Sequence, residues 1–479
     1  MSHPTLPYLT CLKNTLGGLS SALAADPGAA FQAAATKRLV DYMIVQRSDA
    51  LKLKAESYAA MLKILPAIEK LVGAADGLKD LCATADTDDF DRFLKLAGER
   101  QRKLFALNTP AALTLCKAIV NIEAEYSRKF EAAVVAQGAV ADNKPASAIR
   151  NTREINEQKL LGFIRECYPE ETDLAINKTS FIPGGYSKFT ALISLSNAKS
   201  LPHDIVLRGD AAATFGGASV VDEYRLIKPL YENGACVPRP LALETSGQVF
   251  GSAFMLVERK PGISIGHMFN IPQTPNKVIG QDCAAQLAAI HQVPLAALGN
   301  QANNANGSSS DKMLAWLDEG INNWKPLNMP SPVFETAFEW LRRHAGINDK
   351  APRTLVHGDY GLNNILIHND KVSTILDWEF AHIGNPAYDL GYFYFMGRAL
   401  CPWEDFLQAY GKAGMPVPDE DQINYSILFA ATRLGVMVCQ TCHIFTSGAE
   451  PGLAGAVNLS GNFYEETIKR ISFALDRVL

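Results

Sequence analysis

The segment HGDYGLNNILI at 357–367, followed by ILDWE at 375–379, decides how this chain is interpreted. Both parts join an apolar, β-like run to a turn that carries acidic or amide side chains. A loop backed by two short strands brings Asp359 and Asn364 to one point, and the next strand delivers Asp377 there. Asp-x-x-x-x-Asn alone is an ordinary polar turn. The His-Gly pair before it, the apolar triplet after it and the downstream Asp-Trp-Glu argue against a chance arrangement.

The three polar side chains of this segment suit phosphoryl transfer. Asn364 and Asp377 offer the hard oxygen ligands that Mg²⁺ prefers, and phosphate oxygens complete such a coordination shell. Asp359 is then left to accept the proton of an attacking hydroxyl as catalytic base. The spacing therefore predicts a Mg²⁺–nucleotide site around these residues.

A second group of candidate residues precedes this segment in the chain. Gly184, Gly185 and Ser187 lie in IPGGYSK, a glycine turn before a predicted strand. Glycines let backbone N–H groups approach phosphate oxygens, although most Gly-Gly pairs are plain hairpin turns. The next strand ends in Arg208, and Glu223 follows on a predicted helix. A strand cation that pairs with a helix carboxylate holds nucleotide phosphates in kinases, whereas either residue in isolation would be an ordinary surface charge.

Periodicity divides the chain into three regions. Residues 1–140 carry apolar side chains at helical spacing and predict a helical bundle, followed by an Ala/Asn/Pro-rich linker near 138–151. Over 151–262, short β-like runs with one predicted helix at 153–167 and another that stops at Gly234 predict a mostly antiparallel sheet. Helical segments dominate 263–479. The expected fold class is therefore α+β, preceded by an all-α domain.

Composition and charge exclude several classes of protein. The 479 residues are 48% hydrophobic and 20% charged, with a formal net charge of -5, which is typical of a globular enzyme and gives no electrostatic case for nucleic acid or membrane binding. The chain lacks a secretory signal pattern and a membrane-spanning stretch, so we expect a cytoplasmic protein. P-loop and dinucleotide-binding fingerprints are also missing.

The nine cysteines fit reduced thiols better than a disulfide framework. Cys439, Cys442 and His443 match the short pattern of covalent haem attachment, and the paired cysteines also suggest zinc. No export signal accompanies the haem pattern, and zinc would need a second ligand pair. We expect buried structural cysteines in an apolar helix instead.

The order of these parts resembles the aminoglycoside phosphotransferase and choline kinase superfamily. It is similar above all to the broad bacterial phosphotransferase group related to kinase domains fused to some acyl-CoA dehydrogenases. The resemblance covers 153–479 and leaves the N-terminal helices outside. It implies a protein-kinase-like bilobal fold, with a small antiparallel-sheet N-lobe over 151–262 and a mainly helical C-lobe over 263–479. It also implies ATP-dependent transfer of phosphate to a small-molecule hydroxyl.

The resemblance implies a role for each matching residue. Asp359 matches the catalytic base, Asn364 and Asp377 match the metal ligands, and the nucleotide-binding positions are Gly184, Gly185, Ser187, Arg208, Glu223 and the hinge Val257, Glu258 and Arg259. Asp389 and His357 match residues that support the catalytic loop. Two positions depart from common patterns. Arg208 stands where Lys is frequent, and Glu379 replaces the Gly of protein kinases, with a structural hydrogen bond or a contact to the metal's water shell as its alternatives.

The acceptor is expected to be a hydroxylated metabolite, either a hydroxyacyl-CoA or a catabolic alcohol. An aminoglycoside is the alternative, although the acidic run at 419–421 is short for a polycation. A nucleotide-binding pseudokinase or scaffold is a further alternative, against which the intact Asp359, Asn364 and Asp377 argue. The N-terminal helices are expected to serve docking, either in a homodimer or with a partner protein, and a wall of the acceptor site is the third alternative.

Overall fold

The computed structural model describes residues 36–37, 40–46, 48–84, 89–136, 155–182, 188–210, 218–266, 271–304, 307–446 and 463–479. The chain forms two compact units, and each combines segments that are distant in sequence. The first unit comprises 1–143, 310–348 and 420–479, and the second comprises 144–309 and 349–419. These units are defined by spatial compactness and do not test the sequence-based domain boundaries at 140, 151 and 262, which stay a prediction.

The elements follow one another in this order. Residues 40–46 are helical, and the helices that follow within the described residues are α1 (Ala50–Val72), α2 (Asp76–Thr84), α3 (Phe90–Leu107) and α4 (Pro110–Ala136). The middle of the chain holds α5 (Glu157–Cys167), β1 (Ala175–Ile182), β2 (Lys188–Ser196), β3 (Asp204–Asp210), α6 (Val220–Glu232), β4 (Pro240–Glu244) and β5 (Phe254–Glu258). The remainder holds α7 (Lys277–His291), α8 (Ser309–Trp324), α9 (Pro332–His344), β6 (Thr354–Val356), β7 (Ile365–His368), β8 (Lys371–Ile375), β9 (His382–Gly384), α10 (Ala387–Leu400), α11 (Trp403–Lys412), α12 (Glu420–Thr446) and α13 (Phe463–Val478). Short 3₁₀ helices span Leu295–Asn304, Lys325–Leu327 and Ala345–Lys350.

The described part of the N-terminal region is mainly helical, as its periodicity predicts. In α1 the buried residues recur at three-and-four spacing, including Tyr58, Met61, Leu65 and Ile68. The proline at the first position of α4 needs no N–H partner there, and the Thr109 hydroxyl accepts from the Ala112 amide 3.3 Å away. Across the described ranges, no helix has the length and apolar character that a membrane crossing requires.

Within the first unit, α4 is joined to α9 and α13 through one buried carboxylate. Glu123 accepts hydrogen bonds from the Ser331 hydroxyl at 2.6 Å and the Val333 amide at 2.9 Å, at the N-terminus of α9. The Tyr464 hydroxyl at the start of α13 donates to the same carboxylate at 3.4 Å. Glu123 thereby satisfies donors that a helix N-terminus leaves unpaired.

This carboxylate should make the stability of the unit depend on pH. Burial raises the pKa of Glu123 from 4.5 to about 7, against the opposing hydrogen bonds from Ser331 and Val333. Its contribution is therefore complete below pH 4.5 and is lost as the pH rises through 7. Between pH 5 and pH 8 we expect the free energy of unfolding of the wild type to fall by about 2 kcal/mol relative to that of Glu123→Gln, because the carboxyl group ionises over this range and the carboxamide does not. Urea denaturation at both pH values measures this difference.

Glu466→Gln is the matched control for that prediction. Interactions with Arg470 and Lys469 lower the pKa of Glu466 despite burial, which alone would raise it. The same substitution at Glu466 should therefore destabilise the protein at pH 8. Equal effects of the two variants at both pH values would contradict the role given to Glu123.

The second unit contains the predicted antiparallel sheet. Its strand order is β1-β2-β3-β5-β4, and all neighbouring strands are antiparallel. In β2 the apolar residues Phe189, Ala191, Ile193 and Leu195 are buried while alternate positions are less so, which is the period of a half-buried strand. They pack into a core with Phe254 and Leu256 of β5.

The rest of this unit combines helices with two small ladders, β6–β9 and β7–β8. Asn369 and Asp370 turn the β7–β8 hairpin with φ of 50° and 57°, a conformation that short polar side chains tolerate. Trp378 and Phe393 lie in the apolar core beneath these ladders. The loop between β6 and β7 and the segment after β8 are therefore both connected to strands that pack on this apolar core.

The Cys-x-x-Cys-His sequence lies in α12. Cys439 is buried and His443 is exposed, while the side chain of Cys442 lies outside the described residues. Burial of Cys439 agrees with the expected structural thiol.

Candidate functional site

The second residue of the loop between β6 and β7 is a glycine that no other residue could replace without displacing its neighbours. Gly358 has φ of 84°, and a Cβ placed on it would lie 2.2 Å from the Phe380 carbonyl oxygen. The amides of His357 and Gly358 donate to the two carboxylate oxygens of Asp389, at 2.7 and 2.9 Å. The loop is therefore held through its backbone by the first turn of α10.

Asp389 is itself supported by a second buried chain of polar groups. Nε2 of His291 donates to its Oδ2 at 3.1 Å, and Nδ1 of His291 lies 2.7 Å from the Tyr410 hydroxyl. Burial alone would raise the pKa of Asp389, but the hydrogen bonds from His291 and the loop amides hold it below its usual value. The charged carboxylate thus anchors α7, α10 and the loop together.

His357 is bound through both ring nitrogens. Nε2 donates to the Leu376 carbonyl at 3.0 Å, so Nδ1 is the acceptor for the Asp359 amide at 3.2 Å. Burial lowers the pKa of His357, and the nearby Asp389 only partly opposes this shift. A neutral imidazole with both nitrogens engaged positions the backbone at Asp359 and at Leu376.

Asp359 and Asn364 are in direct contact. Nδ2 of Asn364 donates to Oδ2 of Asp359 at 2.8 Å and to its carbonyl oxygen at 3.0 Å. The amide nitrogen of Asn364 is therefore committed, and its Oδ1 accepts no hydrogen bond from the described residues. The Leu376 amide donates to the Asn364 carbonyl at 2.8 Å, which brings Asp377 beside this loop.

Asp377 has a left-handed backbone, with φ of 66°. Such a conformation costs free energy in a residue with a side chain, and it recurs at functional sites where surrounding contacts enforce it. Here the residue on each side of Asp377 is fixed: the Leu376 amide and carbonyl bond to Asn364 and His357, and Trp378 is buried. The carboxylate of Asp377 is thereby directed at β3.

Arg208 at the end of β3 connects this loop to α6. Its Nη2 donates to Oδ1 of Asp377, and its Nε lies 3.2 Å from Oε2 of Glu223. Nε of Arg208 and Oε2 of Glu223 are both buried, and neither atom has a hydrogen-bond partner among the described residues. The second contact is therefore an ion pair without hydrogen-bond geometry. Burial raises the pKa of Glu223 although Arg208 opposes it, and the carboxylates around Arg208 raise the pKa of the guanidinium against the cost of its own burial.

The remaining nucleotide-binding predictions are placed only in part. Gly184, Gly185 and Ser187 lie outside the described residues. In the predicted hinge, Val257 pairs with Val206 of β3, and the Glu258 amide donates to the Arg239 carbonyl at 2.9 Å. The Arg259 amide donates to the Asp204 carbonyl at 3.1 Å. Two backbone donors of the hinge are therefore already engaged within the sheet.

Sequence reasoning missed one buried cation at this site. Lys188 begins β2 with a side chain that is 3% exposed, and its Nζ lies 3.2 Å from Asp210 and 3.3 Å from Glu379. Strand periodicity offers no signal for it, because Lys188 falls on the alternate positions, of which Thr190, Leu192 and Ser194 are only partly buried. His291 and Tyr410 were missed as well, since His291 ends a mainly apolar helical stretch and Tyr410 occupies a buried position of an ordinary amphipathic helix.

The donor set fits one hard cation with few protein ligands. The carboxylate of Asp377 and Oδ1 of Asn364 are oxygen donors, the type that Mg²⁺ takes together with water and phosphate oxygens. Throughout the described ranges, no group of three or more His, Cys, Asp or Glu residues could hold a metal alone. A metal here would therefore depend on ligands from a bound substrate.

Comparison with known proteins supports these observations. The model of the phosphotransferase enzyme family matches residues 184–423. Two curated relatives are a probable acyl-CoA dehydrogenase of Arabidopsis thaliana, 26% identical over 50% of this chain and 30% of that protein, and acyl-CoA dehydrogenase family member 10 of Mus musculus, 28% identical over 39% and 18%. The chain therefore spans less than a third of the length of either relative.

A solved structure from Ralstonia eutropha, whose name assigns it to the aminoglycoside phosphotransferases, shares the fold. It aligns with a TM-score of 0.55 at 19% identity and covers 67% of this chain and 99% of its own. The predicted α+β, protein-kinase-like fold with an antiparallel sheet and a mainly helical C-terminal part is thus confirmed. Because the family model matches half of the sequence, including Asp359, Asn364 and Asp377, the chain belongs to the phosphotransferase enzyme family.

Proposed function

We propose that this chain is an ATP-dependent kinase that transfers the γ-phosphate to a hydroxyl of a small metabolite. The observation that carries the proposal is the contact chain from Glu223 through Arg208 to Asp377. It joins a helix carboxylate, a strand cation and a prospective metal ligand, which are the parts that position phosphates for transfer.

Asp359 is the proposed catalytic base. Its Oδ2 accepts from Asn364, so the carboxylate is oriented before an acceptor binds. It would accept the proton of the acceptor hydroxyl while that oxygen attacks phosphorus. The backbone amides at His357 and Gly358 cannot move without breaking their bonds to Asp389, which keeps the base in place.

Arg208 is proposed to bind phosphate oxygens of the nucleotide. A guanidinium offers several donors, so Arg208 can keep its ion pair with Glu223 while other N–H groups face a phosphate. Mg²⁺ bound by Asn364 and Asp377 would neutralise charge on the transferred group. Together these residues would supply the positive environment in which negative charge develops.

Adenine recognition is proposed for the hinge at Val257, Glu258 and Arg259. Because the amides of Glu258 and Arg259 are engaged within the sheet, the contacts to adenine would fall to hinge carbonyls and to backbone groups after Arg259. The glycine turn with Gly184, Gly185 and Ser187 is proposed to cover the phosphates.

For the acceptor we favour a hydroxyacyl-CoA or a catabolic alcohol. Support comes from the two relatives, whose names refer to acyl-CoA dehydrogenases. An aminoglycoside phosphotransferase is the alternative. Against it, Asp419, Glu420 and Asp421 are exposed at the start of α12, where acidic side chains complement a helix N-terminus without any ligand.

Two measurements on the purified chain test the proposal. Calorimetric titration with ATP, in the presence and absence of Mg²⁺, should show binding that requires the metal. ADP release should then rise on addition of one member of a panel of hydroxyacyl-CoA thioesters, short alcohols and aminoglycosides. Failure to bind Mg·ATP would overturn the kinase and pseudokinase hypotheses alike, whereas binding without transfer to any acceptor would favour the pseudokinase or scaffold.

A further inference from the structure

Lys188 is the centre of a set of contacts that the proposed mechanism does not use. Its Nζ donates to the Ala218 carbonyl at 2.8 Å and forms ion pairs with Asp210 and Glu379. The Ala218 amide donates in turn to the Glu379 backbone carbonyl at 2.9 Å. Lys188, Ala218 and Glu379 therefore close a ring of three contacts at the start of β2.

This ring reaches both halves of the phosphate site. Ala218 immediately precedes Ser219, the N-cap of α6, and the carboxylate of Asp210 accepts from the Val220 amide at 3.1 Å. The start of α6, the helix that carries Glu223, is thus tied to Lys188 twice. On the other side, Glu379 lies two residues after Asp377, so the same ammonium holds the segment that bears the prospective metal ligand.

These contacts also bear on the role of Glu379. Its carboxylate lies 3.3 Å from Nζ of Lys188, and its backbone carbonyl accepts from Ala218. The carboxylate therefore faces the start of β2, and the backbone carbonyl faces the segment that leads into α6. Of the two alternatives for Glu379, a structural contact agrees with this geometry.

We propose that Lys188 is a positioning residue for phosphoryl transfer, which acts through Glu379 and Ala218 to hold the Asp377 segment and the N-terminus of α6 in register. This inference rests on the proposed function. The ammonium is suited to the role because it has three donors on a flexible stem and can serve three acceptors from three segments. Since Asp377 keeps an unfavourable left-handed backbone, an external tether two residues away affects how its carboxylate is presented.

A double-mutant cycle on Lys188→Met and Glu379→Gln tests the inference. The readouts are Mn²⁺ binding in the presence of AMP-PNP, followed by electron paramagnetic resonance, and ADP release by the same samples. We expect each single variant and the double variant to weaken Mn²⁺ binding by a similar factor of roughly ten, because the pair acts as a unit. The melting temperature of each variant is measured on the same samples, so that loss of Mn²⁺ binding is distinguished from loss of folding.

Lys178→Met is the matched control, since Lys178 is an exposed lysine in the neighbouring strand β1 of the same sheet. It should leave Mn²⁺ binding and ADP release as in the wild type. The double variant keeps the charge balance of the buried pair, so it separates loss of the tether from an unpaired buried charge.

Three outcomes would overturn the inference. The first is normal Mn²⁺ binding by Lys188→Met, and the second is recovery of wild-type binding in the double variant, which would leave charge balance as the whole effect. The third is additive losses in the cycle. In all three outcomes the wild type still binds Mn²⁺ and releases ADP, so the proposed function stands. A wild type that neither binds Mn²⁺ with AMP-PNP nor releases ADP would overturn the proposed function as well.

Discussion

Asp359→Asn is expected to lower turnover by a factor of about 10² to 10⁴, the usual contribution of a positioned general base. The substitution preserves the size of the side chain and the fold of the loop, because the backbone amide still donates to His357. It removes the group that would accept the hydroxyl proton. The contacts of Arg208, Glu223 and Asp377 do not include Asp359, so affinity for Mg·ATP should change little.

Asp370→Asn is the matched control for this experiment. Asp370 belongs to the same segment, lies exposed in the β7–β8 turn and has a positive φ that Asn tolerates equally well. It should have wild-type turnover and wild-type nucleotide affinity. Turnover of Asp359→Asn as high as that of Asp370→Asn would remove Asp359 from the mechanism, and a joint loss of ATP binding would assign it to the nucleotide site instead.

Asp389→Asn is expected to cause the largest loss of stability, about 3 kcal/mol or more in the free energy of unfolding. The fully buried carboxylate accepts from the amides of His357 and Gly358 and from His291. A carboxamide has one acceptor oxygen, and its NH₂ group would face donors. Urea denaturation measures the loss.

Two comparisons make that prediction specific. Asp405→Asn removes a partly exposed ion pair with Lys277 and should cost about 1 kcal/mol or less. Because the pKa of Asp389 is held below its usual value, its contribution should be present at neutral pH and lost as the pH falls through the acid range. The difference in free energy of unfolding between the wild type and Asp389→Asn should therefore become smaller as the pH falls. A difference that stays constant with pH would argue against a charged carboxylate.

The sheet and the loop between β6 and β7 were predictable because their signals are local. Apolar alternation marks β2, and the residues from His357 to Asn364 occupy one short segment whose spacing alone suggests their convergence. Arg208 and Glu223 were predictable only as parts of a pattern, and the structure brings both into contact with each other across β3 and α6.

The supporting contacts were not predictable, since they join residues far apart in sequence. Tyr410 meets His291 across 119 positions and His291 meets Asp389 across 98. Lys188 contacts Ala218 and Glu379, which belong to two other segments of the chain. The residues next to Lys188 in sequence therefore do not indicate that its side chain is buried and paired. Such contacts depend on tertiary packing, which overrides local propensity.

The bonds of Glu123 have a consequence for the order of events during synthesis. The Ser331 partner follows it by 208 residues and the Tyr464 partner by 341. At usual translation rates α4 would leave the ribosome on the order of tens of seconds before α13 exists. Until then α4 lacks the Tyr464 hydroxyl and the other contacts of α13, so the packing of this early helix can be completed only after the last described helix has been made.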